Sequence, residues 1–207
     1  GTVYDHILRG LKYIWERRGP HGLPIVFHAD WNDGLAVFQD ETAETVMLAM
    51  QLVYSCRQFA DIARRFDREN DALWCENVIS ELTGILNAPP VWNGQWYSRM
   101  MLSNGKQLGS PECREGKIYL NPQSWAVIAG IADGRRGQAV MNAAAEHLDT
   151  RCGVRVLTPP YTGIPEPDDP PLGSMPGTNE NGAIFCHANT WAIIAEAILG
   201  NADRAFK

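Results

Sequence analysis

The sequence predicts a mainly α-helical protein, and three observations indicate this fold class. Apolar residues recur at intervals of three and four over most of the chain, the spacing that places them on one side of a helix. Clusters of proline, glycine and asparagine interrupt this spacing and separate the helical segments. With 207 residues, of which 45% are hydrophobic, the chain can bury a sizeable core. We therefore expect successive helices, with short strands in the longer loops between them.

Residues 3–18 are predicted to form the first helix. Ile7, Leu11 and Ile14 would lie on its inward side, and Gly19-Pro20 would end it. This segment thus predicts an amphipathic helix against the core.

The next helical pattern covers residues 42–66. Val46, Met50 and Val53 recur at helical spacing. Glu44 lies near the predicted start, where the helix dipole favours a negative charge. This segment predicts a long helix with one apolar face.

The rest of the chain alternates between helical and irregular segments. Residues 88–121 contain Pro89-Pro90, Asn93-Gly94 and Asn104-Gly105, which predict loops or short strands. Residues 158–182 form a long loop rich in proline and glycine. The same apolar spacing predicts further helices at 70–86, 123–131, 137–147 and 188–199, and the start of another at 203–207.

The helix predicted at 188–199 carries its apolar residues together. Trp191, Ile194, Ala195 and Ile198 share one face of it. The segment therefore predicts an amphipathic helix near the end of the chain.

Charge and composition exclude several classes of protein. A net charge of −6 argues against nucleic-acid binding, because an acidic surface repels phosphate groups. No apolar run approaches the roughly 20 residues that span a membrane, and no signal-peptide pattern opens the chain. The five cysteines lack C-x-x-C spacing and the five histidines lack H-x-x-x-H pairing, so neither disulfides nor a metal site are expected. We expect a cytoplasmic protein.

Four consecutive residues, Asp30 to Asp33, carry the first chemical signal. Asp30, Asn32 and Asp33 could hydrogen-bond to sugar hydroxyls, while Trp31 offers a ring to the apolar C–H face of a pyranose. The same residues could instead form an Asx-rich turn that ends at Gly34. Residue chemistry alone leaves both interpretations open.

A second cluster, far along the chain, changes the interpretation. The segment NENGAIFCHANTW contains Glu180 and His187 and ends at Trp191. Together with ADWNDGL, it resembles the catalytic domain of the cellobiose and chitobiose phosphorylases, glycoside hydrolase family 94. The resemblance continues in order between the two clusters, through WYSRMMLSNGKQLGS, EGKIYLNPQSWAVIAG and GVRVLTPPY, and so covers nearly the whole chain.

The resemblance implies an (α/α)6 barrel, of which residues 1–207 would form a part within one catalytic domain. Twelve helices of about 11–12 residues with connections of about 5 need on the order of 200 residues even with minimal loops. This chain uses many of its residues in long loops. We therefore expect a fragment that lacks the N-terminal β-sandwich, the first part of the barrel and its C-terminal end.

The family pattern also assigns roles to the first cluster. Asp33 would be the general acid that protonates the oxygen of the leaving sugar. Asp30 would order the loop or bind a hydroxyl of the donor sugar, Asn32 would contact the substrate, and Trp31 would form a wall of the donor subsite. A solvated turn aspartate and a core tryptophan are the alternatives for Asp33 and Trp31.

In the second cluster, His187 matches the phosphate-binding histidine of the family. It lies just before the predicted last helix, whose free N–H groups and dipole favour an anion. A histidine that only caps the helix is the alternative. Glu180 would contact sugar near the cleaved bond, although in a hydrolase it would be the base.

Four further residues lie in segments that match the family. Gln123 and Arg114 are assigned to substrate binding, and Arg99 and Lys117 could also line the acceptor side. Isolated charges on loops are usually solvated, which is the alternative for the three charged residues.

The sequence thus predicts an inverting phosphorylase of a β-linked disaccharide, cellobiose- or chitobiose-like, that yields an α-sugar 1-phosphate and a free sugar. Inorganic phosphate would be the co-substrate, with no metal or organic cofactor. The alternatives are an inverting hydrolase with Asp33 and Glu180 as acid and base, or a non-catalytic carbohydrate-binding or scaffold fragment. The whole enzyme could form a homodimer, as the family often does, and the isolated fragment is expected to be inactive.

Overall fold

The computed structural model describes residues 1–27, 30–33, 40–162 and 174–207. Within these ranges the chain is mainly helical with short antiparallel strands, as predicted. The helices are α1 (Val3–Trp15), α2 (Val46–Arg65), α3 (Glu69–Leu86), α4 (Leu120–Ile128), α5 (Gly134–Leu148), α6 (Cys186–Ile198) and α7 (Ala202–Phe206). The strands are β1 (Glu44–Thr45), β2 (Met100–Met101), β3 (Gln107–Leu108), β4 (Ile118–Tyr119), β5 (Asp149–Thr150), β6 (Gly153–Val154) and β7 (Leu157–Thr158).

Helix α1 ends at Trp15, earlier than predicted. The chain folds back after it, and the N–H of Ile25 donates to the carbonyl of Arg17 at 3.1 Å, which removes this backbone from the helical pattern. Of the residues predicted on the inward side, Leu11 is 7% exposed but Ile7 is 44% exposed. The buried side of α1 is therefore narrower than the apolar spacing predicts.

Helix α2 begins at Val46, later than predicted, because the residues before it pair with another segment. Glu44 and Thr45 form β1, and the register places Thr45 opposite Met100 of β2. The Thr45 hydroxyl then accepts a hydrogen bond from the Leu48 N–H at 3.5 Å and caps the helix. Long-range strand pairing has overridden the local helical spacing at this end.

The sequence predicts that the Glu44 carboxylate interacts with the dipole at the start of α2, but the structure gives it other partners. Its side chain is almost fully buried and accepts hydrogen bonds from the N–H groups of His21 and Leu23, both at 3.0 Å. The carboxylate therefore holds the turn between α1 and β1 in place.

The core lies between α2, α3 and α4. Helices α2 and α3 pack along each other across the short connection 66–68, and α4 packs against α2, α5 and α6. Helix α4 thus joins the α2–α3 pair to the last part of the chain. Helices α2 and α3 bury mostly apolar side chains, among them Met50, Val53, Phe59, Val78 and Leu82.

Strands β2, β3 and β4 lie in residues 88–121, where the sequence predicts loops or short strands, whereas β1 falls within the predicted helix 42–66. Strands β1, β2 and β3 form one antiparallel sheet in that order, β4 pairs with β7, and β5 pairs with β6. Helix α4 begins directly after β4 and earlier than predicted, with Pro122 in its first turn, where a proline is tolerated. The predicted loop 158–182 begins inside β7, and its residues 163–173 lie outside the described ranges.

Helix α6 packs through small side chains rather than through its isoleucines. Ile194 and Ile198 are 46% and 57% exposed, although they share the predicted apolar face with Trp191 and Ala195. Small side chains let this helix approach α4 closely. The buried positions of α6 are Ala188, Ala192, Ala195 and Glu196.

The other predicted helices are present with shifted ends. Helix α3 starts at Glu69, α5 extends over Gly134–Leu148, and α7 follows at Ala202. Capping and tertiary contacts set such boundaries, and apolar spacing does not report them. Within the described ranges, none of the helices combines the length and the apolar character needed to cross a membrane.

Candidate active site

A buried arginine anchors the loop of residues 30–33. Arg99 is fully buried and forms an ion pair with Asp30, whose side chain is 5% exposed. The guanidinium also donates to Oδ1 of Asn32, from Nη2 at 2.7 Å and from Nε at 3.2 Å, and from Nη1 to Oγ1 of Thr45 at 3.1 Å. Arg99 therefore ties the loop to the start of α2.

Asp30 and Asn32 are consequently engaged with the protein itself. The Asn32 N–H donates to Oδ1 of Asp30 at 3.0 Å, which closes an Asx turn. Asn32 is fully buried, and its Nδ2 has no hydrogen-bond partner in the described part of the chain. This geometry favours the interpretation in which Asp30 orders the loop, and it gives Asn32 the same role rather than the predicted substrate contact.

Asp33 follows this anchored turn and is exposed. The described residues place no hydrogen bond or ion pair on its carboxylate. A general acid must be free to transfer its proton to a bound substrate. Within the described ranges, a hydrogen-bonded turn that ends in an exposed carboxylate is compatible with that requirement. The neighbouring residues Gly34 and Leu35 of the sequence motif lie outside the described ranges.

Trp31 connects the two sequence clusters. Its indole Nε1 donates a hydrogen bond to Nδ1 of His187 at 3.0 Å, across 156 residues of sequence. The ring centroid of Trp31 also lies 5.2 Å from that of Phe185 and 5.0 Å from that of Trp191. The structure thus brings the loop of residues 30–33 against the start of α6.

These rings belong to a larger group, which we call the aromatic cluster: Trp31, Trp125, Phe185, His187 and Trp191. His187 and Trp191 lie 4.4 Å apart between ring centroids, and Trp191 lies 5.5 Å from Trp125 of α4. Trp31 is half-buried, so the described residues cover only part of its surface. Both interpretations of Trp31, subsite wall and core residue, therefore have a basis in the structure.

The segment before α6 is held by a buried asparagine. Nδ2 of Asn181 donates to the carbonyl of Tyr161 at 2.8 Å, and its Oδ1 accepts from the Tyr161 N–H at 2.8 Å. The Tyr161 hydroxyl lies 2.7 Å from the hydroxyl of Tyr119, whose pKa is raised by its complete burial. At Gly182, with φ of 83°, a Cβ would lie 2.9 Å from Cβ of Pro160, so only glycine permits this approach.

Glu180 lies in this fixed segment and is 9% exposed. No hydrogen bond or ion pair of its carboxylate occurs among the described residues. A largely buried carboxylate that the described residues leave without a partner is chemically suited to accept hydrogen bonds from a ligand.

The sequence predicts His187 just before the last helix. In the structure α6 begins at Cys186, so His187 lies inside its first turn. The residue before the helix, Phe185, provides no side-chain cap. The first-turn N–H groups of a helix have no partner within it, and the helix dipole adds positive potential there. His187 is exposed beside these groups, so the first turn of α6 offers donors to an anion.

Gln123 is buried away from solvent. Its Nε2 donates to the carbonyls of Tyr97 and Tyr119, both at 2.9 Å, and its Oε1 accepts from the Tyr97 N–H at 2.9 Å. These bonds use both donors of the amide. The geometry therefore favours a structural role over the predicted substrate contact.

Arg114 and Lys117 lie in the loop that leads into β4 and are exposed. The guanidinium of Arg114 is 3.7 Å from the carboxylate of Glu115. Their predicted contacts with an acceptor sugar remain predictions.

From the sequence, Arg99 was a residue that could line the acceptor side or be solvated, but the structure buries its side chain completely. The sequence contained a signal for this burial, because Arg99 and Ser98 are flanked by two aromatic residues and two methionines in WYSRMM. A charge inside an apolar run predicts burial with a partner. Thr45 and Phe185 carried no chemical pattern of their own and emerge only from their contacts.

Within the described ranges, no group of three or more histidine, cysteine, aspartate or glutamate residues is arranged to hold a metal ion. The expectation of a reaction without a metal remains a prediction.

The sequence is similar to a family of known proteins over its whole length. The family described as "Glycosyl hydrolase 94 superfamily, catalytic domain" matches residues 1–207. The solabiose phosphorylase of Paenibacillus borealis is 33% identical over 208 residues, which cover 100% of this chain and 27% of that protein. The N,N'-diacetylchitobiose phosphorylase of Vibrio proteolyticus is 31% identical over 215 residues, covering 100% of this chain and 26% of that protein.

A solved structure named "Sialidase" is similar in fold. It aligns with a TM-score of 0.70 and 10% sequence identity, covering 96% of this chain and 18% of that one. At this identity the likeness concerns the fold alone. The chain spans about a quarter of the length of the phosphorylases it matches, 27% in the case of the solabiose phosphorylase.

Proposed function

Because this chain belongs to the glycosyl hydrolase 94 superfamily, as part of its catalytic domain, we propose that it carries the acid and the phosphate site of a disaccharide phosphorylase. The reaction is inverting phosphorolysis of a β-linked disaccharide to an α-sugar 1-phosphate and a free sugar. One observation carries the proposal: the Trp31–His187 hydrogen bond places the loop of Asp33 against the start of α6. The solabiose and N,N'-diacetylchitobiose phosphorylases among the relatives support the reaction class.

Asp33 donates its proton to the glycosidic oxygen as the bond between that oxygen and the anomeric carbon breaks. A phosphate oxygen forms the new bond to this carbon from the opposite face. The buried Arg99–Asp30 pair supports this role of Asp33, because it holds the preceding turn rigid and thereby restricts where the acid can lie.

His187 binds the attacking phosphate together with the first-turn N–H groups of α6. Charge-assisted hydrogen bonds to an anion are stronger than neutral ones. The absence of a side-chain cap at Phe185 supports this assignment, since the N–H groups are not used by the helix itself.

Glu180 contacts the sugar near the cleaved bond, and we propose that no carboxylate acts as base. Phosphate is already a nucleophile, and a carboxylate in its path would repel it. We further propose that the chain is part of an (α/α)6 barrel in a longer enzyme that needs no metal or organic cofactor.

The test of the reaction class uses the whole enzyme that contains this chain. A β-linked disaccharide is incubated with and without phosphate, and the anomeric signals are followed by NMR. We expect α-sugar 1-phosphate in one displacement, only when phosphate is present, and the reverse synthesis from that product and a free acceptor sugar. Comparable release of two free sugars without phosphate would contradict the proposal and move Glu180 into the role of base.

The anion site is tested by His187→Ala in the same enzyme. We expect the KM for phosphate to rise by roughly tenfold to 150-fold, because a hydrogen bond to a charged group contributes about 1.5–3 kcal/mol. The KM for the disaccharide should change much less. His6→Ala, at an exposed position on α1, is the matched control and should leave both values unchanged. An unchanged phosphate KM with weaker disaccharide binding would assign His187 to a sugar subsite.

A further inference from the structure

The hydrogen bond between Trp31 and His187 has a direction. An indole N–H can only donate, so Nδ1 of His187 must be the acceptor over the 3.0 Å that separate the two nitrogens. An imidazole nitrogen accepts only when it carries no proton. The contact therefore selects the neutral form of His187 in which Nε2 carries the hydrogen.

This choice of tautomer decides what His187 can offer to a ligand. With Nδ1 engaged by the indole, the ring presents a single N–H donor, at Nε2, on an exposed side chain. The other neutral tautomer would present an acceptor at Nε2 and would repel an anion's oxygen. An exposed imidazole without a partner interconverts between the two forms.

We propose that Trp31 is a positioning residue, whose indole N–H holds His187 in its Nε2–H tautomer and thereby keeps a donor facing the phosphate. This inference deepens the proposed function and rests on it for the identity of the anion. It assigns to Trp31 a role that neither a sugar-stacking wall nor a core tryptophan requires.

The surroundings of His187 provide a matched control. Trp191 is also in contact with this imidazole, at 4.4 Å between ring centroids. No hydrogen bond from the Trp191 indole to His187 occurs among the described residues, in contrast to that from Trp31. Trp31→Phe and Trp191→Phe thus both remove an indole next to His187, but only the first removes the N–H that Nδ1 accepts.

The experiment measures the 15N chemical shifts of the His187 ring in the whole enzyme that contains this chain, labelled at its histidines, since protonated and unprotonated ring nitrogens are widely separated in such spectra. The resonance is assigned with His187→Gln, and amide spectra confirm that each variant is folded. We expect the Nε2–H tautomer in the unmodified chain and in the control variant Trp191→Phe. Trp31→Phe should give a mixture of both neutral tautomers. If that variant fails to fold, benzothienylalanine at position 31 replaces the N–H by sulfur and retains the shape of the ring.

A titration with inorganic phosphate, followed at His187 in the same samples, completes the test. The apparent dissociation constant should rise by about threefold to tenfold in Trp31→Phe, the effect of one lost hydrogen bond. Identical His187 tautomers in the unmodified chain and Trp31→Phe, or equal changes in both indole variants, would overturn the role of Trp31. If phosphate instead leaves the His187 signals of the unmodified chain unchanged while the tautomer still depends on Trp31, the proposed phosphate site fails and the positioning of His187 by Trp31 stands.

Discussion

Replacing Asp33 with asparagine in the whole enzyme should reduce kcat by about 10²–10⁴-fold, the usual contribution of general acid catalysis. Asparagine has nearly the same shape as aspartic acid but has no proton to give to the leaving oxygen. Asp33 is exposed, and the described residues give its carboxylate no partner whose loss would disturb the fold. Binding of the disaccharide and the thermal stability should therefore change little.

The choice of substrate distinguishes the loss of the general acid in Asp33→Asn from a general disturbance of the active site. A donor with a good leaving group, such as a glycosyl fluoride, needs little protonation and should recover much of the lost rate in Asp33→Asn. Asp61→Asn, at an exposed position on α2, is the matched control and should retain full activity. A near-normal rate of Asp33→Asn with an unactivated disaccharide would rule out Asp33 as the acid.

Replacing Arg99 with methionine should lower the free energy of unfolding by about 3–5 kcal/mol. Removing one member of a buried ion pair leaves the other charge without compensation. Asp30, 5% exposed, would lose its partner, and the hydrogen bonds to Asn32 and Thr45 would be lost with it. The melting temperature should fall by roughly 6–20 °C for a chain of this size.

Denaturant unfolding of the 207-residue chain measures this effect. Arg64→Met is the matched control, since the Arg64–Glu76 pair is exposed at both members and should contribute little to the free energy of unfolding. The double variant Arg99→Met with Asp30→Asn should be less destabilised than the sum of the single variants, because the neutral amide leaves no buried charge at position 30. Equal losses for Arg64→Met and Arg99→Met would show that the buried pair does not anchor the loop.

Several features of the fold follow from local sequence. Helices α2 and α3 were predictable because apolar residues recur at helical spacing over many turns, and a long pattern averages out local exceptions. The residues at which these helices begin and end were less predictable. The start of α2 moved because Glu44 and Thr45 pair with β2, and pairing partners from distant sequence leave no local signal.

The exposure of single side chains could not be predicted from the local sequence either. Ile7 and Ile194 fit the apolar faces predicted for α1 and α6, yet both are largely exposed. Periodicity places residues on a common side of a helix. Which part of that side is covered depends on the size and position of the neighbouring elements.

The sequence by itself determined the mainly helical fold class and the family, and it singled out Asp33, Glu180 and His187 as the candidate site residues, because these are recognised by residue type and order. Only the tertiary structure decided what their neighbours do. It turned Asp30 inward to the buried Arg99 and set the indole of Trp31 against Nδ1 of His187, a contact between residues 156 positions apart. The physical reason is that hydrogen bonds and ion pairs depend on distances of about 3 Å between individual atoms, and chain folding alone brings such atoms together.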